Sequence, residues 1–106
     1  MHIQINTDHN IDGSEQFAEH VRTVVTDALD RYAEHISRVE VHLKEQDAAK
    51  GGKPDKRCMI EVRMKGRQPT VVAHEAENMH QAIQGSCDRI KRVIGGIVDR
   101  RHDHHH

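Results

Sequence analysis

Aromatic side chains are almost missing from this 106-residue chain, which has no Trp, one Phe (Phe17) and one Tyr (Tyr32). Its core must therefore be aliphatic, and binding nucleic acid by stacking unpaired bases on aromatic rings is not an expected mechanism. No apolar run approaches the roughly 20 residues of a membrane-spanning helix. The opening Met1-His2-Ile3-Gln4 also lacks the basic-then-apolar pattern of a secretion signal. Neither a membrane partner nor export is expected. There are only two cysteines, Cys58 and Cys87, without CxxC spacing. They read as buried thiols in a reducing compartment, which points to a cytoplasmic protein.

Charge of one sign is missing too: 16 Lys and Arg face 17 Asp and Glu, which argues against a protein that coats nucleic acid indiscriminately. The balance conceals an asymmetry. Residues 1–54 carry a net −4 and residues 55–106 a net +3, so a basic surface must come mainly from the second half.

What is present is periodicity. Residues 2–6 alternate, with Ile3 and Ile5 on one side, as a half-buried strand does. From Ser14, a plausible N-cap, the residues Phe17, Val21, Val24, Val25, Ala28, Leu29, Tyr32 and Ala33 form a helical stripe that predicts a helix to about His35. Val39, Val41 and Leu43 alternate with polar neighbours, as do Cys58, Ile60, Val62 and Met64, giving two amphipathic strands separated by a Gly- and charge-rich loop over 47–55. A turn at Gly66 to Pro69 precedes a fourth strand over 70–75 whose inward face is ambiguous. A second helix from about Asn78 carries Met79, Ile83, Cys87, Ile90, Ile94 and Ile97 on one face, and Gly95-Gly96 is expected to fray or bend its end.

The order β-α-β-β-β-α predicts an α+β fold. A parallel pair with a right-handed crossover is followed by an antiparallel meander, which makes a four-stranded mixed sheet with both helices on one face. The single domain is expected to cover residues 1–100, with 101–106 a His-rich tail. The other sheet face would be open to water and carry Gln4, Glu40, His42, Lys44, Arg57, Met59, Glu61, Arg63 and Lys65.

Chemistry for catalysis is hard to find. Of the eleven histidines, His2, His9, His20, His35, His42, His74 and His80 fall on different elements without HxH or HExxH spacing, and His102 and His104 to His106 cluster only at the terminus. There is no GxxxxGK[ST], GxGxxG or GxSxG, and both cysteines lie on apolar phases. No enzyme activity, cofactor, metal or small-molecule substrate is expected. Basic residues are the remaining signal: Lys44, Arg57, Arg63, Lys65 and Arg67 around the second and third strands, and Arg89, Lys91, Arg92, Arg100 and Arg101 along the last helix. Singly they read as solvated charges. Together they suit recognition of folded RNA by shape and backbone.

The segments Ile3-Gln4-Ile5-Asn6-Thr7, Ile36-Ser37-Arg38-Val39-Glu40-Val41 and Glu77-Asn78-Met79-His80-Gln81-Ala82-Ile83, followed by Asp88-Arg89-Ile90, resemble the bacterial ribosome hibernation-promoting factors and ribosome-associated inhibitors, also labelled sigma-54 modulation proteins. That resemblance covers most of the chain. It implies a non-enzymatic factor that docks on the small ribosomal subunit and its rRNA at the mRNA and tRNA channel, silencing translation in stress or stationary phase. The chain departs from the family's lysine-rich helices: the first helix carries Glu15, Glu19, Asp27, Asp30 and Glu34 against Arg22 and Arg31. A rival reading is therefore a protein-interaction module that keeps the fold without the rRNA contacts. A histidine-based metal carrier is the third.

Overall fold

The computed structural model describes residues 1–8, 14–45 and 56–103. The loop expected over 47–55, the polar residues 9–13 and the last three histidines lie outside the described residues. The elements are β1 (His2–Thr7), α1 (Glu15–Leu29), a 3-10 segment (Asp30–His35), β2 (Ile36–Glu45), β3 (Lys56–Met64), β4 (Thr70–Ala76) and α2 (Met79–Asp103). The strands lie in the order β1-β2-β3-β4. β1 and β2 are parallel, while β2-β3 and β3-β4 are antiparallel. Among the described residues no helix is long and apolar enough to cross a membrane.

The alternation fixes which face is buried. Val39, Val41, Leu43, Cys58, Ile60, Val62 and Met64 are all buried, and they meet Val21, Val25 and Leu29 of α1 and Ile83, Cys87, Ile90, Ile94 and Ile97 of α2 in one cluster. Ser14 caps α1 by accepting from the Phe17 N–H at 3.2 Å, and Asn78 plays the same part for α2, accepting from the Gln81 N–H at 2.8 Å.

Two local outcomes differ from the sequence expectation, and a third settles a face that the sequence left open. The first helix is α-helical only to Leu29; residues 30–35 wind as 3-10. This tighter winding, with its three-residue repeat, keeps buried Leu29 and half-buried Tyr32 on the core side while Ile36 enters β2 already buried.

The second difference is that α2 does not end at Gly95-Gly96. It continues to Asp103, through the first residues of the expected 101–106 tail. Two glycines cost about 2 kcal/mol of helix propensity, whereas burial of Ile94, Ile97 and Val98 around them contributes about 1.5–3 kcal/mol for each side chain. Packing outweighs propensity here.

Third, β4 turns Thr70, Val72, His74 and Ala76 inward, as their pairing with Val62, Ile60, Cys58 and Lys56 requires. His74 fits because α2 has no side chain opposite it: a Cβ on Gly85 would lie 2.1 Å from His74 Cδ2. Gly→Ala inside a helix ordinarily stabilises by about 0.5–1 kcal/mol. At Gly85 the sign should reverse, with Gly85→Ala costing about 1–3 kcal/mol through overpacking. A denaturant titration checks this, and a rise in stability would mean that the His74 ring moves aside freely.

Both cysteines are buried free thiols. Burial pushes Cys58 up to about 11. Cys87 is pushed up to about 12, by burial first and then by the neighbouring Cys58 and Asp88 charges. Unfolded thiols ionise near pH 8.5–9, so above that pH the unfolded chain binds fewer protons than the folded one and stability falls. The loss should start near pH 9 and approach about 1.4 kcal/mol per pH unit for each thiol until the folded thiols ionise. Comparing the parent with a Cys58→Ala/Cys87→Ala variant over pH 8–11 isolates this slope from other alkaline groups. Equal slopes would refute it.

Candidate nucleic-acid interface

The open sheet face is a grid set by register. Its rows are Gln4-Glu40-Glu61-Val71, Asn6-His42-Met59-Ala73, Arg38 beside Arg63, and Lys44-Arg57-Glu75. The expected residues of β1, β2 and β3 are all on this face, joined by Arg38 and by Val71, Ala73 and Glu75 of β4. Lys65 lies one residue past the end of β3, in the turn.

Charges in the middle of the face neutralise one another. Arg63 Nε lies 3.1 Å from a Glu61 carboxylate oxygen, and Arg63 Nη2 is 3.9 Å from Glu40. Arg38 reaches Glu40 at 3.3 Å and donates to the Gln4 side-chain carbonyl, and His42 stands 3.8 Å from Glu40. Arg63 is thus a member of an ion network. Lys44 and Arg57 are cross-strand partners at the far end of the sheet and pair with no carboxylate among the described residues. Roughly eight residues of extended strand, or about 26 Å, separate them from Lys65.

A second basic region forms where the β3-β4 turn meets the end of α2. Gly66 takes φ 78°, a left-handed conformation that glycine adopts without strain, and the turn projects exposed Lys65 and Arg67. Arg101 Nη2 donates to the Lys65 carbonyl at 3.0 Å, which brings the last turn of α2, with exposed Arg100, against this corner. One stretch further along β4, Arg89 Nη1 donates to the Ala73 carbonyl at 3.3 Å. Lys65, Arg67, Arg100 and Arg101 therefore cluster at one corner, and Arg89 is a separate basic residue three helical turns back along α2, with exposed Val93 between. The sheet surface and the last helix, which look like separate candidates in the sequence, meet at that corner.

Lys91 and Arg92 are placed elsewhere. Both border a groove between the helices that also holds Asp88 and Asp99, and Lys91 additionally faces Asp27 of α1. α1 exposes Glu15, Glu19 and Asp27, with Arg22 paired to Glu19, and in the 3-10 segment Arg31 lies over the Tyr32 ring at 5.9 Å. Among the described residues no three His, Cys, Asp or Glu side chains are grouped so as to hold a metal ion.

Sequence reasoning left Arg38 out of the basic set, although continuing the 40-42-44 alternation back by two residues reaches it. The corner contact between Arg101 and Lys65 had no local signal, since 36 residues separate the two.

Comparison with known proteins agrees with this architecture. The chain is similar in structure to the N-terminal domain of Protein Y from Thermus thermophilus, with a TM-score of 0.70 and 22% identity over 89% of this chain and 96% of that one. It is also similar to a ribosomal subunit interface protein from Coxiella burnetii, with a TM-score of 0.68 and 17% identity over 93% and 99% of the two chains. At these identities the shared property is the fold. No curated protein matches the sequence. The family profile described as sigma 54 modulation protein / S30EA ribosomal protein matches residues 3–102. With nearly its whole length matched, the chain belongs to the sigma 54 modulation protein / S30EA ribosomal protein family.

Proposed function

We propose that this protein is a non-catalytic ribosome-associated factor that binds the small ribosomal subunit through rRNA phosphates at the mRNA and tRNA channel and inhibits translation during stress or stationary phase. The observation that carries the reading is the basic corner made by Lys65, Arg67, Arg100 and Arg101, held together by the Arg101 contact to the β3-β4 turn, with Arg89 further along the edge of β4. It sits on a chain of the S30EA ribosomal protein family. Phosphate contacts of this kind give sequence-independent, salt-sensitive affinity, and lysine and arginine side chains on an exposed edge can make them without repacking the core. Lys44 and Arg57 form a second contact at the opposite end of the sheet. A ligand that surrounds the protein on more than one side could reach both.

Cosedimentation of the protein with purified small subunits over a salt series tests this. Five phosphate contacts predict a loss of affinity of about 100-fold or more between 50 and 200 mM salt. Absence of cosedimentation at near-physiological salt would overturn the proposal. The neutralising network of Arg38, Arg63, Glu40 and Glu61, with the acidic α1, specifically favours a second reading: an interaction module that keeps the fold with weak or no ribosome binding. That reading predicts no pelleting at near-physiological salt.

A further inference from the structure

Tyr32, the sole tyrosine of the chain, stands half-buried beside a cavity of about 530 Å³ between the 3-10 segment and α2. It is an open surface groove, not an enclosed pocket. The α2 wall is charged, with Lys91 and Arg92 between Asp88 on one side and Asp99 on the other. Asp88 and Arg92 have the i,i+4 spacing at which helices pair opposite charges. Yet none of these four side chains makes an ion pair or hydrogen bond with another described residue, and the Tyr32 hydroxyl makes none either.

The groove passes over Gly95-Gly96, where Gly95 is buried under the Tyr32 hydroxyl and only Gly96 is part-exposed, and the two glycines have different reasons to be there. A Cβ on Gly95 would lie 2.7 Å from the Tyr32 hydroxyl, so Gly95 is needed for the ring to sit where it does. A Cβ on Gly96 would meet only the mobile end of Arg100, at 3.4 Å. Alanine would fit at Gly96 and would add about 1 kcal/mol of helix propensity. Packing gives no return for this glycine. What it does is keep the groove open.

We infer that this groove binds one 5′-phosphorylated nucleoside, either a free nucleotide or a single unpaired residue of an RNA. Lys91 and Arg92 take the phosphate, the part-exposed Gly96 backbone beside the Tyr32 ring receives the base, and Asp88 or Asp99 accepts from ribose hydroxyls. The balanced wall is selective. Carboxylates beside the cations disfavour a bare anion but suit a ligand with a phosphate at one end and hydroxyl donors at the other. A single ring serves one base, so the scarcity of aromatics excludes a stacking platform without excluding this site. The RNA arm of the inference rests on the RNA-binding reading above, whereas its test uses no ribosome.

The full-length protein is titrated with uridine and adenosine 5′-monophosphates, sodium phosphate and a short single-stranded oligoribonucleotide. Binding is read from the amide NMR signals of Gly95 and Gly96 and from the fluorescence of Tyr32. Saturable shifts at both glycines with the nucleotides, and much weaker ones with phosphate, are expected. A tighter oligoribonucleotide assigns the site to RNA, and equal affinities assign it to free nucleotides. Lys91→Ala/Arg92→Ala should weaken binding about tenfold or more through lost charge-assisted hydrogen bonds. Gly96→Leu should abolish binding without lowering the unfolding midpoint, which separates a blocked groove from a misfolded chain. Equal responses to phosphate and nucleotide, no saturation at Gly95 and Gly96, or parental binding by Gly96→Leu would each overturn the inference.

Discussion

Replacing Ile83 by alanine is expected to destabilise the protein by about 2–5 kcal/mol, the range for truncating a buried isoleucine whose site cannot collapse. Ile83 is 2% exposed and lies in the first half of α2, where the helix crosses β3 and β4. Ile60 on the sheet and Ile90 two turns further along α2 belong to the same core cluster and are fully buried, so little around it can move to fill a cavity. Val93 supplies the contrast on the same helix. It is 39% exposed, so Val93→Ala removes little buried area and gains helix propensity, and its effect should stay within about 0.5 kcal/mol. Urea titration of both variants measures the difference. A loss below about 1 kcal/mol for Ile83→Ala would mean that the apolar stripe of α2 is seated wrongly.

The stripe containing Ile83 was legible because helices and strands repeat with different periods. Spacings of three and four pick out Met79, Ile83, Cys87, Ile90, Ile94 and Ile97, and spacings of two pick out Val39, Val41, Leu43, Cys58, Ile60, Val62 and Met64. From those periods and the short connections, the α+β architecture and its sheet order follow, and the structure agrees. Legibility ended where two faces were equally plausible. In β4, Thr70, Val72, His74 and Ala76 look no more apolar than Val71, Ala73 and Glu75, and the choice depends on His74 meeting a glycine eleven residues later. The helical stripe through Tyr32 could not distinguish α from 3-10 winding. Gly95-Gly96 is a helix-ending signal on propensity alone, overruled by buried residues on both sides. For the interface, the residue types could be read but their grouping could not. Arg63 is bound into a carboxylate network by Glu61 on its own strand and Glu40 across from it, Lys91 and Arg92 turn toward an acid-lined groove, and Arg101 joins the β3-β4 turn.

That grouping ranks the basic residues by what each loss should do to small-subunit binding. Each phosphate contact removed should flatten the salt dependence by about 0.7–0.9 in the log-log slope. Removing Lys65, Arg67 and Arg100 together should therefore lower the slope by about 2–3 and weaken binding about 100-fold at moderate salt. All three are exposed, so the unfolding midpoint should hardly move. Arg63→Ala should do much less than any of them, because Glu61 and Glu40 already balance its charge. Removing those acids instead, as Glu40→Gln/Glu61→Gln, frees both Arg38 and Arg63 and should tighten binding. Reversing Glu19 and Asp27 to Lys tests α1. Both residues are exposed on the helical side, remote from the β3-β4 turn, and binding should tighten only if RNA also reaches that side. Full parental affinity in the Lys65, Arg67, Arg100 variant would remove the basic corner from the binding surface. If Lys44→Ala/Arg57→Ala also bound as the parent does, the ribosome reading would fail and the interaction module would take its place.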